Sequence, residues 1–176
     1  MYDFIEPKLI GKEILESLIL AFRKTCLEIF LKWDPKTLAI ASSNSAKKMS
    51  YHILTFGMRL PNIARVAVFT ELVRKKLPAS LQGNNIIDNI ANKHSFSLRI
   101  FGTPKFDEKT GSHMRVKKAV QPKNGSVFDF MIRLPNDELE VVDSPLLAIL
   151  ETEMGRCSNI NNITTDVEFE LVEILL

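Results

Sequence analysis

Within the first 55 residues the spacing of apolar side chains changes from one period to another, so the chain has to combine helix with sheet. From Gly11 to Trp33, the residues Ile14, Leu18, Ala21, Phe22, Cys26, Ile29, Phe30 and Trp33 recur at the 3.6-residue spacing of one helix face. Asp34-Pro35 is expected to stop that helix, because proline cannot continue the hydrogen-bond ladder. Leu38 to Ala41 then reads as a short buried strand. After a polar turn from Ser42 to Lys47, the stretch Lys48-Met49-Ser50-Tyr51-His52-Ile53-Leu54 alternates with period two. Ser50, His52 and Leu54 therefore share one face of a strand, and Tyr51 and Ile53 share the other. The plainest expectation for this stretch is an edge strand with one exposed histidine.

A second helix is expected from Pro61-Asn62 to about Lys76, with Ile63, Val66, Ala67, Thr70, Val73 and Leu77 inward and Arg65, Glu71, Arg74 and Lys75 outward. Ile86-Ile87-Asp88 is a brief apolar run ending on an acid. Ser97 to Gly102 alternates as another strand that carries Arg99. Thr103 to Ser112 reads as a turn-rich hairpin, Met114 to Val120 as a basic strand, and Val167 to Val172 as a closing strand. Met1 to Glu6, ending at Pro7, reads as a strand tail, and an upstream part of a larger protein is expected before it. Residues 1–176 are expected to form one α+β domain whose antiparallel-rich sheet is flanked by helices.

Composition narrows the setting. No apolar run approaches the roughly 18 residues that a bilayer requires, so no membrane segment is expected, and the start at Met1-Tyr2-Asp3 lacks the positive charge of a signal peptide. Cys26 and Cys157 lie far apart, without the spacing of a zinc knuckle or a disulfide framework, which points to a soluble, reducing, intracellular setting. Cys26 falls on the apolar helix face, as inert core. His94 and His113 are expected in loops and have no metal-ligand spacing with His52. The net charge is only +2, yet Arg99 to Lys123 holds seven basic residues against two acidic ones, while Asp137 to Glu173 is mostly acidic. A polyanion-facing side is expected from that asymmetry.

Three clusters could carry chemistry. Asp3 and Glu6 with Asp88 offer the oxygen ligands that Mg²⁺ or Mn²⁺ takes when it also holds phosphate. Lys48, Ser50 and His52 supply an ammonium, a hydroxyl and an imidazole, each able to hold a phosphate. Arg99 and Lys105 flank the Gly102-Thr103-Pro104 turn, where a guanidinium and an ammonium could clamp one polyphosphate. Singly, each has an ordinary alternative: a solvated acid, a loop-starting aspartate or a basic hairpin.

In order and spacing, Lys48-x-Ser50-x-His52, then Ile86-Ile87-Asp88, then Ser97-Leu98-Arg99-Ile100 with Gly102 and Lys105, resemble the catalytic core of archaeo-eukaryotic primases, especially the primase-polymerases of large DNA viruses and mobile elements. The resemblance covers roughly Met1 to Val120. It implies a ferredoxin-like (RRM-like) core and template-directed nucleotidyl transfer from nucleoside triphosphates on a DNA template and primer, with Mg²⁺ or Mn²⁺. Lys48, Ser50 and His52 would contact the incoming nucleotide, Asp88 would ligate metal, and Arg99 and Lys105 would grip the triphosphate. A replicative helicase is a further partner that the resemblance allows. The family's first motif has two acids one residue apart, so that both face one side of a strand. Here Asp3 and Glu6 stand at i and i+3, with Ile5 in the matching position. A β-bulge would bring Glu6 round. The alternative is a degenerate primase-like domain that binds nucleotide or nucleic acid without catalysis.

Overall fold

Phe22 stands between two other rings, Trp33 at 6.4 Å and Phe69 at 5.4 Å in an edge-on arrangement, and this aromatic cluster joins the two long helices. The computed structural model describes residues 7–43, 49–83, 86–89, 100–131, 138–148 and 172–175. Its elements run α1 (Pro7–Ile29), β1 (Leu38–Ser42), β2 (Tyr51–Thr55), α2 (Ile63–Lys75), β3 (Ile87–Asp88), β4 (Pro104–Asp107), β5 (Ser112–Val116), β6 (Lys118–Gln121) and β7 (Val172–Leu175). The chain is thus mixed α+β. The expected strand tail at Met1 to Glu6 and residues 97–99 of the expected strand Ser97 to Gly102 lie outside the described residues, while Phe101 and Gly102, expected to end that strand, form a turn closed by the Thr103 N–H on the Ile100 carbonyl.

Helix α1 begins and ends four residues earlier than the periodicity suggests. Pro7 is tolerated in the first turn because its missing N–H would have no partner there. At the other end the helix stops at Ile29, before the proline is reached. Trp33 is buried from the following turn, where its indole Nε1 donates to Thr55 Oγ1 at 2.9 Å. Thr55 Oγ1 also meets Thr37 Oγ1 at 2.8 Å and accepts from the Gly57 N–H at 3.1 Å, so one hydroxyl ties the loop after α1 to the end of β2. A side chain at Gly57 would collide with Thr37 Oγ1, 2.2 Å from where its Cβ would stand. Asp34 accepts from the Lys36 N–H at 2.9 Å and caps the short 3-10 turn Pro35–Thr37.

Helix α2 starts where expected, with the Asn62 side chain accepting from the Arg65 N–H at 2.9 Å. Its buried stripe is Val66 to Thr70 and Val73. Ile63, expected inward, is 53% exposed, because the first turn lies beyond the edge of the core.

The main sheet has the order β3-β7-β2-β1-β6. β1 is antiparallel to β2 and β6, whereas β7 is parallel to both β2 and β3. The antiparallel-rich expectation therefore describes one half of the sheet. The other half is parallel because β2, α2 and β3 form a crossover, which returns the chain in the same direction. β4 and β5 make a separate antiparallel pair. The expected basic strand Met114 to Val120 breaks at Lys117, so its two halves serve different sheets, and His113, expected in a loop, lies in β5.

Both helices cover one face of the sheet. Leu18, Phe22 and Cys26 of α1 and Val66, Phe69 and Val73 of α2 enclose a core with Leu38, Ile40, Ile53 and Ile87 from the strands. Among the described residues no helix is long and apolar enough to cross a membrane.

Burial pushes the Cys26 thiol well above its ordinary range. Its folded form keeps the proton that the unfolded chain releases near pH 9.0, so this contribution to stability is complete below pH 9.0 and declines above it. Relative to Cys26→Ala, the parent should lose about 1.4 kcal/mol per pH unit above that point, as read from denaturant midpoints across an alkaline series. Equal slopes for the two proteins would show that the thiol titrates normally in the fold.

Candidate nucleotide site on the second face of the sheet

β2 is interior, bordered by β7 and β1, so the expectation of an edge strand with an exposed histidine is overturned. His52 is only 7% exposed. Alternation sends Ile53 into the core beneath the helices and leaves His52 and Leu54 for the opposite face. In register, His52 pairs with Ala41 of β1, and Ala41 pairs with Ala119 of β6. On the other side His52 pairs with Glu173 of β7, and Glu173 pairs with Asp88 of β3. One row across the sheet therefore reads Asp88, Glu173, His52, Ala41, Ala119. Two strand spacings of about 4.8 Å set the backbones of Asp88 and His52 roughly 10 Å apart. The alanines stand at one end of the row, on β1 and β6.

Ser50 lies half-buried two residues before His52, and its carbonyl accepts from the Ser43 N–H at 2.9 Å, which continues the β1–β2 ladder by one step. Ser43 is buried at the same end. Lys117, part of a basic run in the sequence, is also buried, and the next residue, Lys118, pairs with Ser42 of β1.

β3 is two residues long, and α2 holds it. Arg74 Nη2 donates to the Ile87 carbonyl at 2.8 Å, while Arg74 Nη1 meets Glu71 Oε1 at 2.5 Å. Asn89 Nδ2 donates to the Ala67 carbonyl at 3.0 Å and to Glu71 Oε1 at 2.8 Å. The side chains of Arg74 and Glu71 are 13% and 21% exposed, so the outward positions expected for them are wrong. They face β3, and they fix the backbone on either side of Asp88.

The loop after Arg99 packs over the same face, opposite the helices. Thr103 N–H closes a turn on the Ile100 carbonyl at 3.2 Å, and Gly102 takes φ +84°, a left-handed conformation that suits glycine. The Phe101 ring stacks on Phe130 at 4.4 Å, and Phe130 packs on Ala39 and Leu54. Lys105 follows in β4.

Of the residues singled out in the sequence, His52 and Asp88 share one row, and Ser50 lies beside it. Asp3, Glu6, Lys48 and Arg99 lie outside the described residues. Among the described residues no group of three His, Cys, Asp or Glu is placed to hold a metal ion. Glu173 lies one residue beyond the expected closing strand Val167 to Val172, of which only Val172 falls in β7 and residues 167–171 lie outside the described residues; nothing local tells which strands β7 will join. No family model, curated protein or solved structure matches the chain.

Arg74→Ala should release β3 and leave Glu71 half-buried without its cation, at a cost of about 2 to 3 kcal/mol. Urea unfolding measures this directly. Lys75→Ala, one residue along on an exposed position, should change the midpoint little.

Proposed function

We propose that this chain is a primase-polymerase-type domain that transfers nucleotides from nucleoside triphosphates to a DNA primer on a template. The observation that carries the reading is a shared face: His52 and Asp88 lie in one row on the side of the sheet opposite the helices, and the Phe101–Phe130 stack packs on that same side. Residues from three separated parts of the sequence, His52, Asp88 and Phe101, thus lie on one side of the sheet. The other side is filled by helices.

In this reading Ser50 and His52 donate to phosphate oxygens, and Lys48, Arg99 and Lys105 offset the charge of the triphosphate. Asp88, Asp3 and Glu6 offer carboxylate oxygens, the donors that Mg²⁺ or Mn²⁺ prefers. Such a cation, when bound, supplies charge stabilisation for in-line attack of the 3′-hydroxyl on the α-phosphate and for departure of pyrophosphate. The chain's own share is to hold the triphosphate in line. The ferredoxin-like core and a helicase partner belong to the same proposal.

One observation favours a second reading, a degenerate domain that binds nucleotide without transferring it. Asp3 and Glu6 have the wrong spacing for one face of a regular strand, and α1 begins at Pro7, directly after Glu6.

Metal-dependent extension of a primed template separates the two. If the chain is a polymerase, Asp88→Asn should cut extension about a hundredfold or more, the effect of losing one group from a preorganised site. Glu6→Gln should do the same if a bulge turns Glu6 inward, whereas Ile5→Asp should raise extension if Ile5 holds that position. Nucleoside triphosphate that raises the melting temperature without any extension would establish the degenerate domain. Robust extension that survives both Asp3→Asn and Asp88→Asn would overturn the metal assignment.

A further inference from the structure

The β4–β5 ribbon is a sheet of its own, and it carries an exposed aromatic ring. Phe106 of β4 is 53% exposed and pairs in register with His113 of β5, also exposed. Their rings meet edge to face, with centroids 5.3 Å apart. The turn between the strands carries exposed Lys109, and Gly111 closes it at φ +62°. Exposed Lys118 and Lys123 follow along the chain.

The basic residues are spread beyond the ribbon: Pro104 to Val116 holds Lys105, Lys109 and Arg115 together with Asp107 and Glu108, while Lys117, Lys118 and Lys123 follow it. The stretch from Arg99 to Lys123 holds seven basic residues and two acidic ones, in a chain whose whole net charge is +2. An exposed ring beside Lys109, with exposed Lys118 and Lys123 further along the chain, suits a polyanion that also offers flat apolar faces. A folded acidic protein offers the charge without the stack, and duplex DNA keeps its base faces covered.

We propose that the β4–β5 ribbon is a docking surface for single-stranded DNA, with a base stacked against Phe106 and His113 and the backbone phosphates following Lys109, Lys118 and Lys123. Base–aromatic stacking tolerates any sequence, because every base has a π-face, and the lysines add a salt-sensitive term. The choice of DNA rests on the nucleotidyl-transfer reading above, whereas the ribbon's binding of a single strand does not require catalysis.

The test is fluorescence anisotropy with the full chain and a labelled mixed-sequence single strand, without nucleotide or divalent metal. An abasic strand of the same length, the matching duplex and an RNA of the same sequence are run beside it. Phe106→Ala should weaken binding of the base-bearing DNA strand about five- to tenfold and leave the abasic strand nearly unchanged, while Phe106→Trp should restore binding. Lys109→Ala should weaken both strands and flatten the salt dependence. Equal losses of the abasic and base-bearing strands in Phe106→Ala would overturn the stacking, and tighter binding of duplex or RNA would overturn the single-stranded DNA assignment. Primer extension and nucleotide-induced stabilisation are read separately. Strand binding that depends on Phe106 in a protein inert to nucleotide would sink the nucleotidyl-transfer reading and keep the ribbon.

Discussion

The packing of Phe22 against both Trp33 and Phe69 is the contact on which the rest of the structure depends. It holds α1 and α2 on the same side of the sheet, where both bury Ile53, Ile40 and Ile87. Because strand side chains alternate, committing one face to the helices assigns His52 to the other. Had the helices been divided between the two faces, a helix would stand where the Phe101–Phe130 stack now packs over Ala39 and Leu54. The polar face is a product of aromatic packing on its reverse.

How that face is held differs from end to end. β1 and β2 support each other through five consecutive register pairs and need little from outside. β3 has two residues, and its position depends on the half-buried Glu71–Arg74 pair and on Asn89. An acid placed by a long ladder would tolerate nearby substitutions, but Asp88 inherits its position from side chains on a helix. The cost of keeping Glu71 and Arg74 away from water is offset by the hydrogen bonds they make to each other, to the Ile87 carbonyl and to Asn89.

Much of this was legible before the structure. The 3.6-residue period found α1 and its core face, the Asn62 cap found the start of α2, and period two gave β2 its two faces. What escaped was whatever depends on distant neighbours. Glu71 and Arg74 carry the chemistry of surface residues, and only the closeness of β3 makes them a clamp. The Phe101–Phe130 stack joins two segments with no pattern in common. The resemblance in motif order pointed to Ser50, His52 and Asp88, but it could not show that β7 would come between the strands that carry them.

That interposed strand also bears on how the chain is built. β2 and β3 both pair with β7, which lies more than eighty residues beyond β3. During synthesis β1 and β2 can zip together early, as can the crossover through α2, but the edges destined for β7 stay unpaired until residues 172–175 emerge. Such long-range parallel pairing is slow, and open strand edges invite association with other chains. The sheet therefore matures from one side to the other, and the row through Asp88 and His52 is stitched together last.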